Sequence, residues 1–320
     1  MTSVPWMLAV FVLAGLLTFV LGGYSARLGE RLGFVDRPRP GEAQQRPVPR
    51  TGGYSMLVAF VLACAVVALI PAEAVNRSAE DLRRLLGLLL GLLLLFPLAL
   101  ADDRWRLEPG PQFLGHLAMA AVPVAFGITI DQIAVPFGEP IALPPVVAVG
   151  VTILWTVTLI NTMNLIDVTD GLAAGVALVA ALTLSIRSVL FGQDAIALLP
   201  LALAGCALGF LGRNFHPAQV FMGTSGSVFL GYALANLAII GGVKVGTAAI
   251  VLGVPLMDVA WVVLRRVWQG RSPFKGGDRE HLAHRLLSLG LSQRETALLL
   301  YAACALFGAL GLALHAGLLS

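Results

Sequence analysis

The sequence predicts an all-α integral membrane protein with about ten transmembrane helices, both termini outside, and one small extracytoplasmic β-hairpin. Three observations lead there. Hydrophobic residues fill 58% of the 320 positions and charged residues only 12%, whereas soluble domains carry about a quarter charged residues. The apolar residues gather into runs close to the roughly 20 residues that cross a bilayer. Most of the basic residues fall between these runs and favour alternate loops, which is the signature of a fixed orientation.

Taken in order, the candidate spans are 4–23, 52–72, 85–101, 113–130, 145–161, 171–190, 195–212, 227–241, 246–268 and 296–318. The first run, Val4 to Gly22, has no basic segment before it and no clear small-residue cleavage site, so it reads as a retained helix rather than a signal peptide. Between the fourth and fifth runs, Ile130 to Leu143 with a glycine at Gly138 reads as the hairpin. The run 227–241 is short. The run 246–268 contains Pro255, Asp258, Arg265 and Arg266, so its lower end is expected to leave the membrane. Cys64, Cys206 and Cys304 sit inside apolar runs without paired spacing and read as small core residues, with no disulfide or zinc site. The mean hydropathy is +0.87, and one polytopic domain is expected over residues 1–320.

Ten spans put both termini on one side. Of the 21 Lys and Arg residues, only Arg77, Arg83, Arg84, Arg187 and Lys244 then fall on the side of the termini, which leaves 21 − 5 = 16 on the other. The positive-inside rule makes the richer side cytoplasmic. The cytoplasmic loops are 24–51, 102–112, 161–170, 213–226 and 269–295, and every polar cluster of interest falls in or beside them. Convergence on one membrane face suits a site that meets a soluble substrate and a lipid together. A transporter would more often place charge near the midplane and show repeated halves, and no convincing internal repeat is present.

Asn161-Thr-Met-Asn164-Leu-Ile-Asp167-Val-Thr-Asp170-Gly171 places two amides and two carboxylates directly after an apolar run. Ionisable groups beside a span are costly and are usually retained for a function. On a helix, Asn164, Asp167 and Asp170 would lie within an arc of roughly 120°, suited to a cation, a sugar hydroxyl, or a phosphate bound through a cation. The bland reading is a polar helix end in a wet loop. Asp102-Asp103 follows the run 85–101; adjacent helical residues point about 100° apart, so the two are not expected to share one job, and an interfacial ion pair is the simpler alternative. Gly223-Thr224-Ser225-Gly226-Ser227 before a helix forms either a phosphate-binding N-terminus or an ordinary loop. Asp258, three residues after Pro255, reads equally as a catalytic residue or as a partner of Arg265 or Arg266. In the last loop His281 and His284, spaced to share a helical face, with Arg279 and Arg285 suit a diphosphate better than zinc; the alternative is a basic amphipathic helix on anionic lipid.

In order, these pieces resemble the polyprenyl-phosphate N-acetylhexosamine-1-phosphate transferase family, which is glycosyltransferase family 4. The resemblance rests on five blocks: Asp36-Arg-Pro38 with Pro47-Val-Pro49-Arg50-Thr-Gly52-Gly53; Asp102-Asp103; Asn161 to Ala173; Asn214-Phe-His-Pro217-Ala218 with Phe221-Met-Gly223; and Asp278-Arg279 with His281 and His284. Ser272-Pro273-Phe274 before Asp278-Arg279-Glu280-His281 looks like the UDP-N-acetylglucosamine branch. The resemblance implies a multi-pass protein of the bacterial plasma (inner) membrane with a cytoplasmic active site. It implies transfer of a sugar 1-phosphate, N-acetylglucosamine or a related N-acetylhexosamine, from a UDP-sugar to undecaprenyl or another polyprenyl phosphate, releasing UMP at the start of cell-envelope glycan synthesis. Mg²⁺ is the implied cofactor, with Mn²⁺ as a substitute. The expected partners are the UDP-sugar, the polyprenyl phosphate and membrane lipid, with no nucleic acid; an apolar helix face would allow a homodimer.

The resemblance assigns Asn164 to the metal and Asp102, Asp103, Asp167 and Asp170 to catalysis. Either Asp102 or Asp103 would deprotonate or orient the lipid phosphate, and Asp167 and Asp170 would hold nucleotide or metal-bound water. Arg50, Asn161, Asn214, Ser225, Arg279, His281 and His284 would bind substrate. The chain departs from the family pattern at several places. Thr224 stands where an Asp usually ligates Mg²⁺, and a neutral hydroxyl is the poorer ligand for a hard cation. Gly41, Glu42 and Gln44 replace a usual Arg-Lys and His, Val168 replaces a Gly, and Ala283 replaces a His. These departures keep open a rival: a catalytically degenerate relative that acts as a membrane binding or scaffolding protein.

Overall fold

A computed structural model describes residues 3–38, 46–133, 140–240, 245–271 and 281–315. In chain order its helices are α1 (Val4–Leu32), α2 (Gly52–Leu69), α3 (Ala72–Val75), α4 (Ala79–Trp105), α5 (Pro109–Ala125), α6 (Pro145–Ile166), α7 (Leu172–Leu190), α8 (Asp194–Asn214), α9 (Gly223–Ile239), α10 (Val245–Val251), α11 (Gly253–Trp268), α12 (Leu282–Ser288) and α13 (Gln293–His315). Two antiparallel pairs of two-residue strands complete it: β1 (Val35–Asp36) with β2 (Val48–Pro49), and β3 (Gln132–Ile133) with β4 (Ile141–Ala142). The second pair, in register Gln132 to Ala142, is the expected hairpin. The first pair was not anticipated, and it brings Asp36 beside the Pro-Val-Pro-Arg block.

Seven helices are long and apolar enough to cross a membrane, and eight if α10 and α11, bent by 74° across a short break, form one span. The protein is therefore a multi-pass, all-α membrane protein. Helices α5 and α9 have 17 residues each, the lower end of the range that spans a bilayer. Each of the ten expected runs overlaps a helix or the bent pair among the described residues. Pro255, which has no N–H to donate and fixes its own φ, falls in the first turn of α11, where neither property breaks a helix.

Helix α9 forms the axis of the bundle. Every residue from Ser225 to Ile239 is buried, and α2, α4, α6, α7, α8 and α10 surround it. A helix apolar on all sides is the one expected to have no solvent or lipid face. The Tyr232 hydroxyl donates to the Leu88 carbonyl at 3.1 Å and ties α9 to α4. The starts of α2 and α9 touch backbone to backbone, because a Cβ at Gly53 would lie 2.1 Å from the Gly226 nitrogen; small residues permit such an approach. Helix α1 lies outside against α8 and α2, with Leu8, Leu16 and Val20 turned outward, as lipid-facing side chains would be. All three cysteines are free and buried.

Candidate active site

One end of the bundle gathers the C-terminal ends of α4 and α6 and the N-terminal ends of α2, α7 and α9. The strand β2 leads into α2, and the Phe221 N–H donates to the Pro49 carbonyl at 2.8 Å. In return, the Gly52 and Gly53 N–H groups donate to the Phe221 and Met222 carbonyls at 3.0 and 2.9 Å. Gly223 has φ +66°, and a Cβ there would lie 2.4 Å from the Arg50 carbonyl oxygen. The Pro-Arg-Thr-Gly-Gly and Phe-Met-Gly blocks are thus one clasp, built from residues about 170 positions apart.

Asp102 and Asp103 end α4, each 8% exposed, and their contacts differ as the helical geometry requires. Asp102 Oδ1 accepts the Leu107 N–H at 3.0 Å and the Gln112 side-chain amide, and so holds the turn into α5. Asp103 Oδ2 accepts the Tyr54 hydroxyl at 2.7 Å, while its Oδ1 is buried without a hydrogen-bond partner. That oxygen lies 3.4 Å from the Cβ position of Gly223, at the start of α9. The Arg50 guanidinium is near enough to interact electrostatically with Asp103.

The Asn161–Gly171 segment is not one helix. Helix α6 stops at Ile166, so Asn164 lies on its last turn while Asp167 and Asp170 lie in the turn to α7; the shared helical face does not form. The physical reason lies in distant partners. Asn214 accepts the Gly171 N–H at 3.0 Å and donates to the Val220 carbonyl at 2.9 Å. The Tyr301 hydroxyl donates to the Gly171 carbonyl at 2.6 Å. Asn214, expected to bind substrate, therefore has both ends of its amide engaged by backbone. The Asn164 side-chain oxygen accepts the Ser227 hydroxyl at 2.8 Å, which joins α6 to α9. Asn161 donates to the Val157 carbonyl of its own helix at 2.7 Å. Asp170 Oδ2 accepts the Ala218 N–H at 3.0 Å and contacts His216 Nδ1 at 2.8 Å. Asp167 makes no hydrogen bond among the described residues, and loss of hydration, followed by the neighbouring Asp170 charge, pushes its carboxyl from 3.8 up to about 7.

A cavity of about 670 Å³ opens beside this cluster, lined by Glu30, Arg46, Asp170, His216, Gln219 and Phe221 among others. Gly223, which faces Asp103, follows Phe221 by two residues, so the cavity and the α4 carboxylates share one segment.

Three expected residues stand differently from the sequence reading. Ser225 is fully buried, its hydroxyl donating to the Met222 carbonyl at 3.2 Å. His281 does not share a helical face with His284: it is the extended residue before α12, whereas His284 sits in the first turn. His281 Nδ1 meets Asp258 Oδ2 at 2.9 Å, and Asp258 Oδ1 accepts the Leu282 N–H at 2.8 Å. Asp258 thus anchors the start of α12. Arg279 lies outside the described residues, as do Gly41, Glu42 and Gln44. Tyr54, His216 and Gln112 were given no role from sequence. His216 stood within a quoted block, but nothing local marks its partner 46 positions away.

The model of glycosyl transferase family 4 matches residues 85–242. A protein of Bacillus subtilis (strain 168), named a probable undecaprenyl-phosphate N-acetylglucosaminyl 1-phosphate transferase, is 32% identical over 91% of this chain and 80% of its own length. The chain belongs to the polyprenyl-phosphate N-acetylhexosamine-1-phosphate transferases of glycosyl transferase family 4. Within this family, the decaprenyl-phosphate N-acetylglucosaminephosphotransferase of Mycobacterium tuberculosis (strain ATCC 25618 / H37Rv) is 32% identical over 90% of this chain and 77% of its own. The undecaprenyl-phosphate alpha-N-acetylglucosaminyl 1-phosphate transferase of Escherichia coli (strain K12) is 24% identical over 95% and 82%. The departures from the family pattern divide by place. Thr224 is in the first turn of α9, where the orphaned Asp103 oxygen points. Val168 lines an apolar slot with Asp258 and His281, and Ala283 is buried beside it.

Proposed function

We propose that the protein transfers N-acetylglucosamine 1-phosphate, or a related N-acetylhexosamine 1-phosphate, from a UDP-sugar to undecaprenyl or another polyprenyl phosphate and releases UMP. The observation that carries this reading is the buried, unpartnered Asp103 oxygen at the start of α9, two residues from the wall of a polar cavity large enough for a nucleotide. A buried carboxylate oxygen without a partner is costly, and an incoming cation or donor removes the cost. The excess of basic residues supports a cytoplasmic face for this end, with ten spans, both termini outside, and a bacterial plasma membrane as the location.

In the transfer, a lipid-phosphate oxygen forms a bond to the sugar-bearing phosphorus, and the bond from that phosphorus to the oxygen bridging to UMP breaks. UMP leaves with the bridging oxygen and the electron pair. A phosphate monoester is already largely ionised near neutral pH, so no side chain has to remove a proton. The protein's task is to hold two anions in line and to offset their charge. Arg50 and the N–H groups opening α9 supply positive potential.

The donor set fits a divalent cation that substrate phosphates help to complete. Among the described residues, no three of His, Cys, Asp and Glu gather into a metal-holding group. Mg²⁺ commonly uses one or two protein carboxylates with water and substrate phosphates. Asn164 and the unpartnered Asp103 oxygen would hold it, and Asp103 would supply the negative charge that Thr224 does not. When bound, the cation supplies Lewis-acid stabilisation of the departing UMP.

The test is UMP release by purified protein given Mg²⁺, undecaprenyl phosphate and a panel of UDP-sugars. Release with UDP-N-acetylhexosamines together with a lipid-linked sugar product is expected. No release from any sugar, with activity appearing in Thr224→Asp, would establish the degenerate, non-catalytic alternative.

A further inference from the structure

The Asn-Phe-His-Pro-Ala turn between α8 and α9 contains a histidine that the transfer chemistry has not used. His216 lines the 670 Å³ cavity, and its side chain is 35% exposed. Its Nδ1 lies 2.8 Å from Asp170 Oδ2. The same carboxylate oxygen accepts the Ala218 N–H at 3.0 Å, so Asp170 grips both ends of the His-Pro-Ala turn. From the other side, Arg294 Nε donates to the His216 carbonyl at 2.9 Å, which anchors the turn to α13.

A carboxylate on Nδ1 holds a proton on that nitrogen and leaves Nε2, on the opposite edge of the ring, for the cavity. An imidazolium donates from both ring nitrogens, so Nε2–H can meet an anion while Nδ1–H stays on Asp170. Arg46 lies in the wall of the same cavity, and Phe221 offers an aromatic surface there.

The geometry points to His216 as a phosphate-binding side chain of the nucleotide cavity, oriented by Asp170 acting as a positioning residue. The ligand is the diphosphate of a nucleoside diphosphate sugar, and the assignment rests on the transferase reading above. Asp170 then acts through His216 rather than on the reacting atoms.

The test separates phosphate binding from mere support of the turn. Asparagine places its amide nitrogen near the position of Nδ1, so His216→Asn keeps the Asp170 contact and loses Nε2. Glutamine places its amide nitrogen near Nε2, so His216→Gln keeps a donor toward the cavity. Binding of uridine, UMP and UDP to the purified full-length protein is measured by calorimetry, with thermal melting alongside. A charge-assisted hydrogen bond corresponds to a loss of about tenfold or more in affinity. For His216→Asn we expect that loss with UDP, a change within about twofold with uridine, and an unchanged melting temperature. His216→Gln is expected to retain most of the UDP affinity. Asp170→Asn is expected to weaken UDP binding, and its loss combined with that of His216→Asn should fall short of the sum of the two. If His216→Asn binds UDP as tightly as the wild type, or loses uridine and UDP affinity equally, the phosphate assignment fails while the transferase reading stands. A wild-type protein that binds none of the three overturns both.

Discussion

Two carboxylate pairs sit at the same end of the bundle, one closing α4 and one in the turn after α6, and each pair divides its labour. In the first, Asp102 holds the turn into α5 through Leu107 and Gln112, while Asp103 keeps one buried oxygen without a partner. In the second, Asp170 grips His216 and Ala218, while Asp167 makes no hydrogen bond among the described residues and has its carboxyl pushed up to about 7. Neighbouring carboxylates in one motif therefore do unlike work. One member of each pair fixes a turn, and the other has a carboxylate oxygen that makes no hydrogen bond among the described residues. Buried polar groups are normally paired, so the Asp103 oxygen marks where chemistry is to be sought, whereas Asp167 is half-buried and is singled out by its raised carboxyl.

The contrast can be broken most severely at Asp167. Asp167→Asn keeps the shape and removes the charge, and UMP release is expected to fall on the order of a thousandfold, as for loss of a group acting only in the transition state. Activity within tenfold of wild type would remove Asp167 from the unsatisfied class. Next in size is Asp102→Ala, which removes the acceptor of the half-buried Leu107 N–H. Thermal or denaturant unfolding is expected to show a loss of about 2 kcal/mol, whereas an unchanged midpoint would mean that Asp102 does not hold the turn. A smaller effect belongs to Tyr54→Phe, which frees the second Asp103 oxygen. UMP release should fall about tenfold, with the affinity for UDP unchanged.

The smallest effect is on stability against pH. The Asp167 carboxyl binds its proton more tightly in the folded protein, at about 7, than at its ordinary 3.8. Its contribution is therefore fully present below pH 3.8 and is lost as the pH rises through 7. In the absence of divalent cations, Asp167→Asn should flatten this decline and exceed the wild type in stability at pH 8 by on the order of 1 kcal/mol. A wild-type protein whose midpoint does not fall between pH 4 and pH 8 would contradict the raised carboxyl.

The sequence made one level of organisation plain and hid another. Apolar runs located the helices, because bilayer thickness imposes a length that composition alone reveals. Charge asymmetry gathered the polar clusters onto one expected face. Helix ends were less visible. Asn164, Asp167 and Asp170 have the spacing of a helical face, yet α6 stops at Ile166 because Asn214 and Tyr301, from α8 and α13, hold Gly171 in a turn. Asp258 read equally as a catalytic residue or as a partner of Arg265 or Arg266, whereas His281 and Leu282 take its carboxylate from 23 and 24 positions away. The His216–Asp170 contact was likewise invisible, since each residue stands in a motif that reads sensibly alone. Local spacing carries local geometry only, and the partner that decides a side chain's job is supplied by the fold.

The most direct measurement compares Asp103→Asn with Asp102→Asn in one assay: UMP release from UDP-N-acetylglucosamine and undecaprenyl phosphate at saturating Mg²⁺. If the unpartnered oxygen of Asp103 holds the cation, Asp103→Asn falls on the order of a thousandfold with its melting temperature unchanged, and Asp102→Asn keeps most of its turnover while melting lower. Equal losses in the two variants, or an Asp103→Asn protein that turns over like the wild type, would contradict the division of labour and the placement of the reacting phosphates at the start of α9.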